Sequence, residues 1–193
     1  MTMSSTERRA ALAAQARQEA DSLERRGVRM AGNGYSPVLL VKGRLNAEEA
    51  SGAELLSGAD GGALRAALTA RGYAPEDFCA LACIAGPGDG SGPVAAGEPL
   101  TTDLFREAVE ALDPELVILL DDDAADLMRE AYADALAAIE DFDAAMLAPG
   151  LVVTVLGRRA MALDGFEDAL ADPDRKRRMW RFLKQVSPAG APY

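Results

Sequence analysis

Residues 37–64 read PVLLVKGRLNAEEASGAELLSGADGGAL, from Pro37 to Leu64. Pro37–Val41 is apolar without alternation, as expected of a strand covered on both faces. Ala47-Glu48-Glu49 reads as an acidic turn. Leu56-Ser57-Gly58-Ala59-Asp60-Gly61 leads into a helix from Gly61 or Gly62 to about Arg71, with Gly72 as its C-terminal cap. A buried strand feeding a polar loop and then a helix is where α/β proteins place their sites.

Outward from this stretch the same alternation recurs. Asp77–Ile84, Leu116–Leu120 and Leu151–Leu156 are three further apolar strands. Helices are expected from Thr101 or Thr102 to about Leu112, from Asp121 to about Ile139, and from Asp164 to about Val186 with a break at Asp172-Pro173. Strands alternating with helices of this length imply βαβ units. The expected fold class is α/β, a three-layer α/β/α sandwich with a four-stranded parallel sheet.

Ser4-Ser5-Thr6-Glu7 fits a capping box for a helix running to about Arg26. Gly27 and Gly32-Asn33-Gly34 end it. Residues 1–34 are therefore expected to be an N-terminal helix and a flexible link, and residues 35–193 the α/β domain. Gly86–Gly97, rich in Gly and Pro, is expected to be a flexible segment or a surface lid.

The 193 residues suit one domain, long enough to bury a core without disulfides or metals. No apolar run reaches the roughly 18 residues of a membrane span. The start of the chain lacks a signal-peptide core. Cys79 and Cys83 make no disulfide framework, and a reducing cytoplasm is the expected compartment. Histidine is absent, which excludes a Ser-His-Asp triad and a mixed Cys/His zinc site. Residues 1–44 carry net charge +4, residues 45–174 carry −21 and residues 175–193 carry +6. An acidic body repels DNA at long range, so DNA binding is doubtful.

The motifs carry several candidate readings. Asp121-Asp122-Asp123, at the carboxyl end of a strand, either caps the next helix or holds a divalent cation. Asn46 and Glu48, with Glu49 beside them, either orient a water or form a solvated loop. Lys42, Gly43 and Arg44 line the same turn. Ser57 and Gly58 either bind an anion through backbone amides or make an ordinary turn. Cys79 and Cys83, four apart, fall on one face of a strand and read as buried structural thiols. Arg158-Arg159 bind a phosphate or carboxylate, pair with the Asp121–Asp123 run, or are solvated. Arg175 to Lys184 forms a basic helix whose Trp180 and Leu183, with Met179 or Val186, turn inward.

Strung together, these segments resemble the uracil-DNA glycosylase superfamily. The resemblance runs through Lys42-Gly43-Arg44-Leu45-Asn46, Ala47-Glu48-Glu49 and Leu56–Leu64. It continues through Leu112–Leu120 with Asp121–Ala125, Leu151–Leu163, and Asp172–Arg177 with Trp180. Such enzymes flip a base into a pocket. On that alignment the family's water-orienting acid falls at Gly43 and its stacking aromatic at Leu56. The base-reading Asn falls at Leu81, and the His-Pro pair near Gly157-Arg158. The iron–sulfur branch needs four cysteines, and this chain has two.

The resemblance implies a catalytically silent homologue that acts as a binding or interaction module, with no cofactor or metal. The acidic body favours a basic protein partner over DNA. The alternative is a DNA glycosylase or small-molecule hydrolase using relocated acids, with Asn46 and Glu48 as catalytic groups and Arg158 and the Asp121–Asp123 run in support. A third reading drops the family for a Rossmann-like or receiver-like protein with a cation at Asp121–Asp123. That chain lacks the glycine fingerprint of a dinucleotide site.

Overall fold

Strand pairing organises this computed structural model, which describes residues 5–190, around one six-stranded sheet. The chain begins with α1 (Ser5–Arg25), β1 (Met30–Gly32), β2 (Val38–Lys42), the single turn α2 (Ala47–Ala50), α3 (Ala59–Thr69) and β3 (Phe78–Ala82). It continues with α4 (Thr102–Leu112), β4 (Leu116–Leu119), α5 (Asp122–Ala131), α6 (Ala133–Leu136) and α7 (Phe142–Ala145). It closes with β5 (Val152–Val155), β6 (Arg158–Ala162), α8 (Phe166–Ala169) and α9 (Pro173–Leu183). The capping box expected at Ser4–Glu7 begins outside the described residues.

The strand order is β1-β3-β2-β4-β6-β5. The four middle strands run parallel, and the two edge strands, β1 and β5, run antiparallel to their neighbours. The expected purely parallel four-stranded sheet is thus corrected to a mixed sheet of six. Two segments account for the difference. Residues 30–32, expected within a flexible link, pair with β3, and Leu23 and Val28 on either side of Gly27 are buried. Leu151–Leu156, expected as the fourth parallel strand, instead forms β5 and turns back through Leu156 and Gly157 into β6. These two residues have φ of 47° and 84°. A two-residue turn of this kind joins only antiparallel neighbours.

β2 and β3 are buried along their whole length, which explains their unbroken apolar sequences. Leu39, Val41, Cys79 and Leu81 share one apolar cluster with Leu23, Phe105 and Met128. Val38, Leu40, Phe78 and Ala80 share another with Leu64, Leu68, Met179 and Leu183. The side-chain period of two separates these sets, so helices cover both faces of the sheet.

The helices stop where local chemistry stops them. Thr101 caps α4 by accepting the Leu104 N–H at 3.2 Å, and Asp113, with φ of 44°, ends it before Pro114. The helix expected to run to Ile139 breaks at Tyr132, dividing α5 from α6. Asp172 caps α9 by accepting the N–H groups of Asp174 and Arg175, with Pro173 in the first turn. Residues 86–97 contain no helix or strand and strap the end of α1. The Asp89 N–H donates to Arg25 O at 2.7 Å, and a Cβ on Gly92 would lie 2.0 Å from Arg26 O.

Among the described residues no helix is long and apolar enough to cross a membrane.

Candidate functional site

The carboxyl ends of the parallel strands converge on Lys42, the last residue of β2. The chain crosses from β2 to β3 on one side and then to β4 on the other, so β2 and β4 flank the point where strand order reverses. A cavity of about 230 Å³ opens there. Its lining includes Lys42, Arg44, Leu45 and Asn46 from the first turn, Asp60 from α3, Leu120 and Asp121 after β4, and residues 165–168 after β6.

Lys42 is 3 % exposed and its ammonium meets three carboxylates. Nζ lies 2.6 Å from Asp60 Oδ2, 2.7 Å from Glu49 Oε2 and 2.8 Å from Glu167 Oε2. Asp60 and Glu49 are as buried as the lysine, and Glu167 is the solvent-facing member. Burial works against the ammonium. The hydrogen bonds it donates to Asp60, Glu167 and Glu49 outweigh it and raise the Lys42 pKa above the ordinary lysine value. Lys42 is therefore a fixed cation and neither a base nor a nucleophile at neutral pH.

Glu49 is fully occupied. Its Oε1 accepts the Leu56 N–H at 2.9 Å, and its Oε2 accepts the Asn46 N–H at 3.0 Å besides contacting Lys42. Asn46 completes a capping box on α2 by accepting the Glu49 N–H at 2.9 Å, and its Nδ2 donates to Glu167 Oε1 at 3.3 Å. Asp60 Oδ1 accepts the Gly61 N–H at 2.8 Å.

Asp121 takes the capping reading. Its carboxylate accepts the N–H groups of Gly43, Arg44 and Ala124 at 2.9–3.1 Å, tying the turn after β2 to the start of α5. A Cβ at position 43 would sit 2.2 Å from Asp121 Oδ1 and 2.5 Å from Ala124 N, so only glycine permits this approach. Asp122 is exposed in the first turn of α5, and Asp123 pairs at the surface with Arg44 at 3.1 Å. No group of three metal-ligating side chains forms a candidate metal site among the described residues.

The structure thus gathers Lys42, Gly43, Arg44, Asn46 and Asp121 at one site. It places the other candidates elsewhere. Glu48 is exposed on the outer side of α2, and the neighbouring Glu49 takes the inward position. Ser57 is exposed and its hydroxyl donates to Glu54 O at 2.8 Å, which is turn chemistry. Leu56 is 1 % exposed, with φ of 55°, and packs behind the site. Leu81 is wholly buried, the penultimate residue of β3. Arg158 is at the far end of the sheet, because β6 starts rather than ends there, and it pairs with Asp113 at 2.7 Å. Of the alternatives for Arg158, pairing with the Asp121–Asp123 run is therefore corrected to pairing with Asp113.

Cys79 and Cys83 are free and buried in the same apolar cluster. Burial pushes the Cys79 thiol up to about 12 and the Cys83 thiol up as well, which leaves both inert. In α9, Met179 and Leu183 are buried, Val186 beyond it is wholly buried, and Trp180 is half-exposed beneath the Lys184 ammonium. Arg178 pairs with Asp164 at 2.9 Å and Arg177 with Asp174, so the basic face is partly neutralised by the chain's own acids.

Asp60, Glu167 and Asp168 were not among the sequence candidates. One signal pointed to buried acids near Lys42 without saying which. A lysine ending an unbroken apolar strand is a charge that burial tolerates only beside acids.

Compared with models of known protein families and with curated proteins, the chain matches none.

Proposed function

We propose that this chain is a diverged, catalytically silent member of the uracil-DNA glycosylase superfamily, working in the cytoplasm as a binding or interaction module. The observation that carries this reading is the closed charge cluster at the switch-point cavity. Glu49 and Asp60, the buried acids around Lys42, are held by its ammonium and by backbone N–H groups, as Asp121 is by N–H groups alone. None is free to orient a water or move a proton. The positions where the family resemblance expects an acid, a stacking aromatic and a base-reading amide are Gly43, Leu56 and Leu81, and the last two are buried apolar side chains.

The lining carries two bases against the four acids Asp60, Asp121, Glu167 and Asp168. Such a mouth attracts a cationic group and repels a phosphate. A basic surface on a partner protein is the better fit, and nucleic acid the worse.

The test is a base-release and binding assay on single- and double-stranded uracil-containing DNA at low salt, with undamaged DNA alongside. Neither release nor uracil-dependent binding is expected. Release of uracil overturns the silent reading in favour of a glycosylase with relocated acids, and Asn46 and Glu167 then become the first residues to substitute.

A further inference from the structure

Residues 175–193 carry six bases and no acid, in a protein of net charge −11. Residues 102–112 and 122–145, which hold α4 to α7 apart from β4, carry 11 acids and two bases. The fold sets these stretches on opposite faces of the sheet. α9 packs through Met179 and Leu183 on the cluster that holds Val38 and Leu40. α4 and α5 pack through Phe105 and Met128 on the cluster that holds Leu39 and Val41. Layers pack about 10 Å apart, so the two helix layers are on the order of 20 Å apart. Physiological salt screens a charge over ~8 Å. The acids behind the sheet are therefore too far away to cancel the bases of α9.

Met179 and Leu183 fix which side of α9 faces outward. Arg177, Arg181 and Lys184, about one turn apart, share the opposite stripe, and all three are exposed. Arg177 pairs with Asp174 in the first turn, a surface pair that is readily exchanged. Arg181 and Lys184 make no ion pair among the described residues. Other acids of this layer gather at the start of the helix, where Asp172 caps it and Asp164 holds Arg178. Arg181 lies roughly 10 Å along the helix axis from Asp174, and Lys184 roughly 15 Å. Arg71, after α3, adds a cation beside the far end of α9, its Nε donating to Val186 O at 3.2 Å.

We propose that the Arg177–Arg181–Lys184 stripe of α9 binds the phosphate backbone of a nucleic acid, without reading its bases. The strand lies against the helix layer and away from the carboxyl ends of the sheet. The acidic layer then faces away from it.

The character of the face selects this occupant. None of the large exposed hydrophobic side chains among the described residues belongs to α3, α8 or α9. A lipid surface takes up the apolar face of a helix, and that of α9 is spent in the core. The centre of a protein–protein interface needs apolar or aromatic anchors, and the nearest aromatic, Trp180, is covered by the Lys184 ammonium 5.4 Å from its ring centre. Phosphates need only cations, and guanidinium groups suit them well. The stripe is distinct from the Lys42 cavity, whose acidic mouth repels phosphate, and the proposal does not rest on the family reading.

The experiment is fluorescence anisotropy of the full chain on a labelled, uracil-free DNA duplex of mixed sequence over a salt series. The variants are Arg177→Gln, Arg181→Gln and Lys184→Gln, singly and combined. All three substitutions are at exposed side chains, and circular dichroism checks that the fold is kept. With three phosphates neutralised, wild-type affinity should fall about 40-fold between 50 and 200 mM salt. Each single variant should flatten the log–log slope by about 0.9, and the combined variant should lose binding. Arg129→Gln, in the acidic layer, should change nothing, and a duplex of different sequence should bind alike. Absence of wild-type binding at the low-salt end, or a slope that every variant keeps, overturns the proposal. Retention of the wild type by phosphatidylserine vesicles overturns it in favour of a lipid surface. Displacement of the duplex by polyglutamate at equal charge overturns it in favour of an acidic protein.

Discussion

Lys42 and Glu49 lie 2.7 Å apart at the end of β2, and neither is more than 3 % exposed. Seven residues apart in the chain, they are the fixed charge pair around which the first turn closes. Glu49 also fastens Leu56 and Asn46 through their N–H groups, so the pair links strand, turn and the approach to α3.

Removing the cation should be severe. Lys42→Met leaves Glu49 and Asp60 buried without their counter-charge, and a loss of ~3–5 kcal/mol is expected. Urea unfolding measures it. Replacing Glu49 and Asp60 by Gln and Asn in the Lys42→Met background should recover much of the loss, because no unpaired charge is left inside.

Gly43→Ala should destabilise by about 1–3 kcal/mol through overpacking against Asp121 and the start of α5. Gly62→Ala, four residues into α3 with nothing within 4 Å of its added Cβ, is the control and should be neutral or stabilising. Thermal melts of the two variants separate a steric demand from a mere change of helix propensity.

Asp121→Ala removes the α5 cap and the anchor of the Gly43 turn together. A loss of about 2 kcal/mol is expected, at the upper end for a cap. Asp122→Ala, with an exposed side chain in the same acidic run, should be close to neutral, which distinguishes the capping role from a cation site spread over the three carboxylates.

Acid should weaken the attachment of α1. The side-chain hydrogen bond from Arg26 holds the Glu107 carboxyl below its ordinary value of 4.5. The unfolded chain then binds more protons between the two pKa values. The pair's contribution is present above pH 4.5 and is lost as pH falls through the folded value. The pair is largely exposed, so the effect should be under ~1 kcal/mol. Glu107→Gln should match the wild type at the acid end and fall below it near neutrality, as read by urea midpoints across pH. A gap independent of pH would refute this assignment.

The β5–β6 turn holds Leu156 at φ of 47°, a conformation Asn adopts more readily than Leu. Leu156→Asn creates the Asn-Gly pair favoured in such turns and should stabilise by about 1 kcal/mol. A chemical denaturation curve decides it.

Much of the fold was legible because the strands in the middle of the sheet are apolar throughout and the helix caps are local. Val38–Lys42, Phe78–Ala82 and Leu116–Leu119 needed only their own composition, and Thr101 and the break at Asp172-Pro173 needed only the residues beside them. β1 and β6 were harder. Met30–Gly32 is three residues between turn signals, and Arg158–Ala162 opens with two arginines, so each is a strand because of what it pairs with. The missed hairpin had a consequence for the site, since it moved Arg158 to the opposite end of the sheet.

Sequence alone determined the alternation of strand and helix, the burial of β2, β3 and β4, and the exclusion of histidine chemistry. These follow from residue types and short-range spacing. Only the tertiary structure decided which acids meet Lys42. Glu49, Asp60 and Glu167 lie seven, 18 and 125 positions away along the chain, and a charge pair formed across such separations depends on how the elements pack. Chain order cannot specify that convergence, because a carboxylate on an exposed turn and one beside a buried ammonium look alike until the sheet brings its strand ends together.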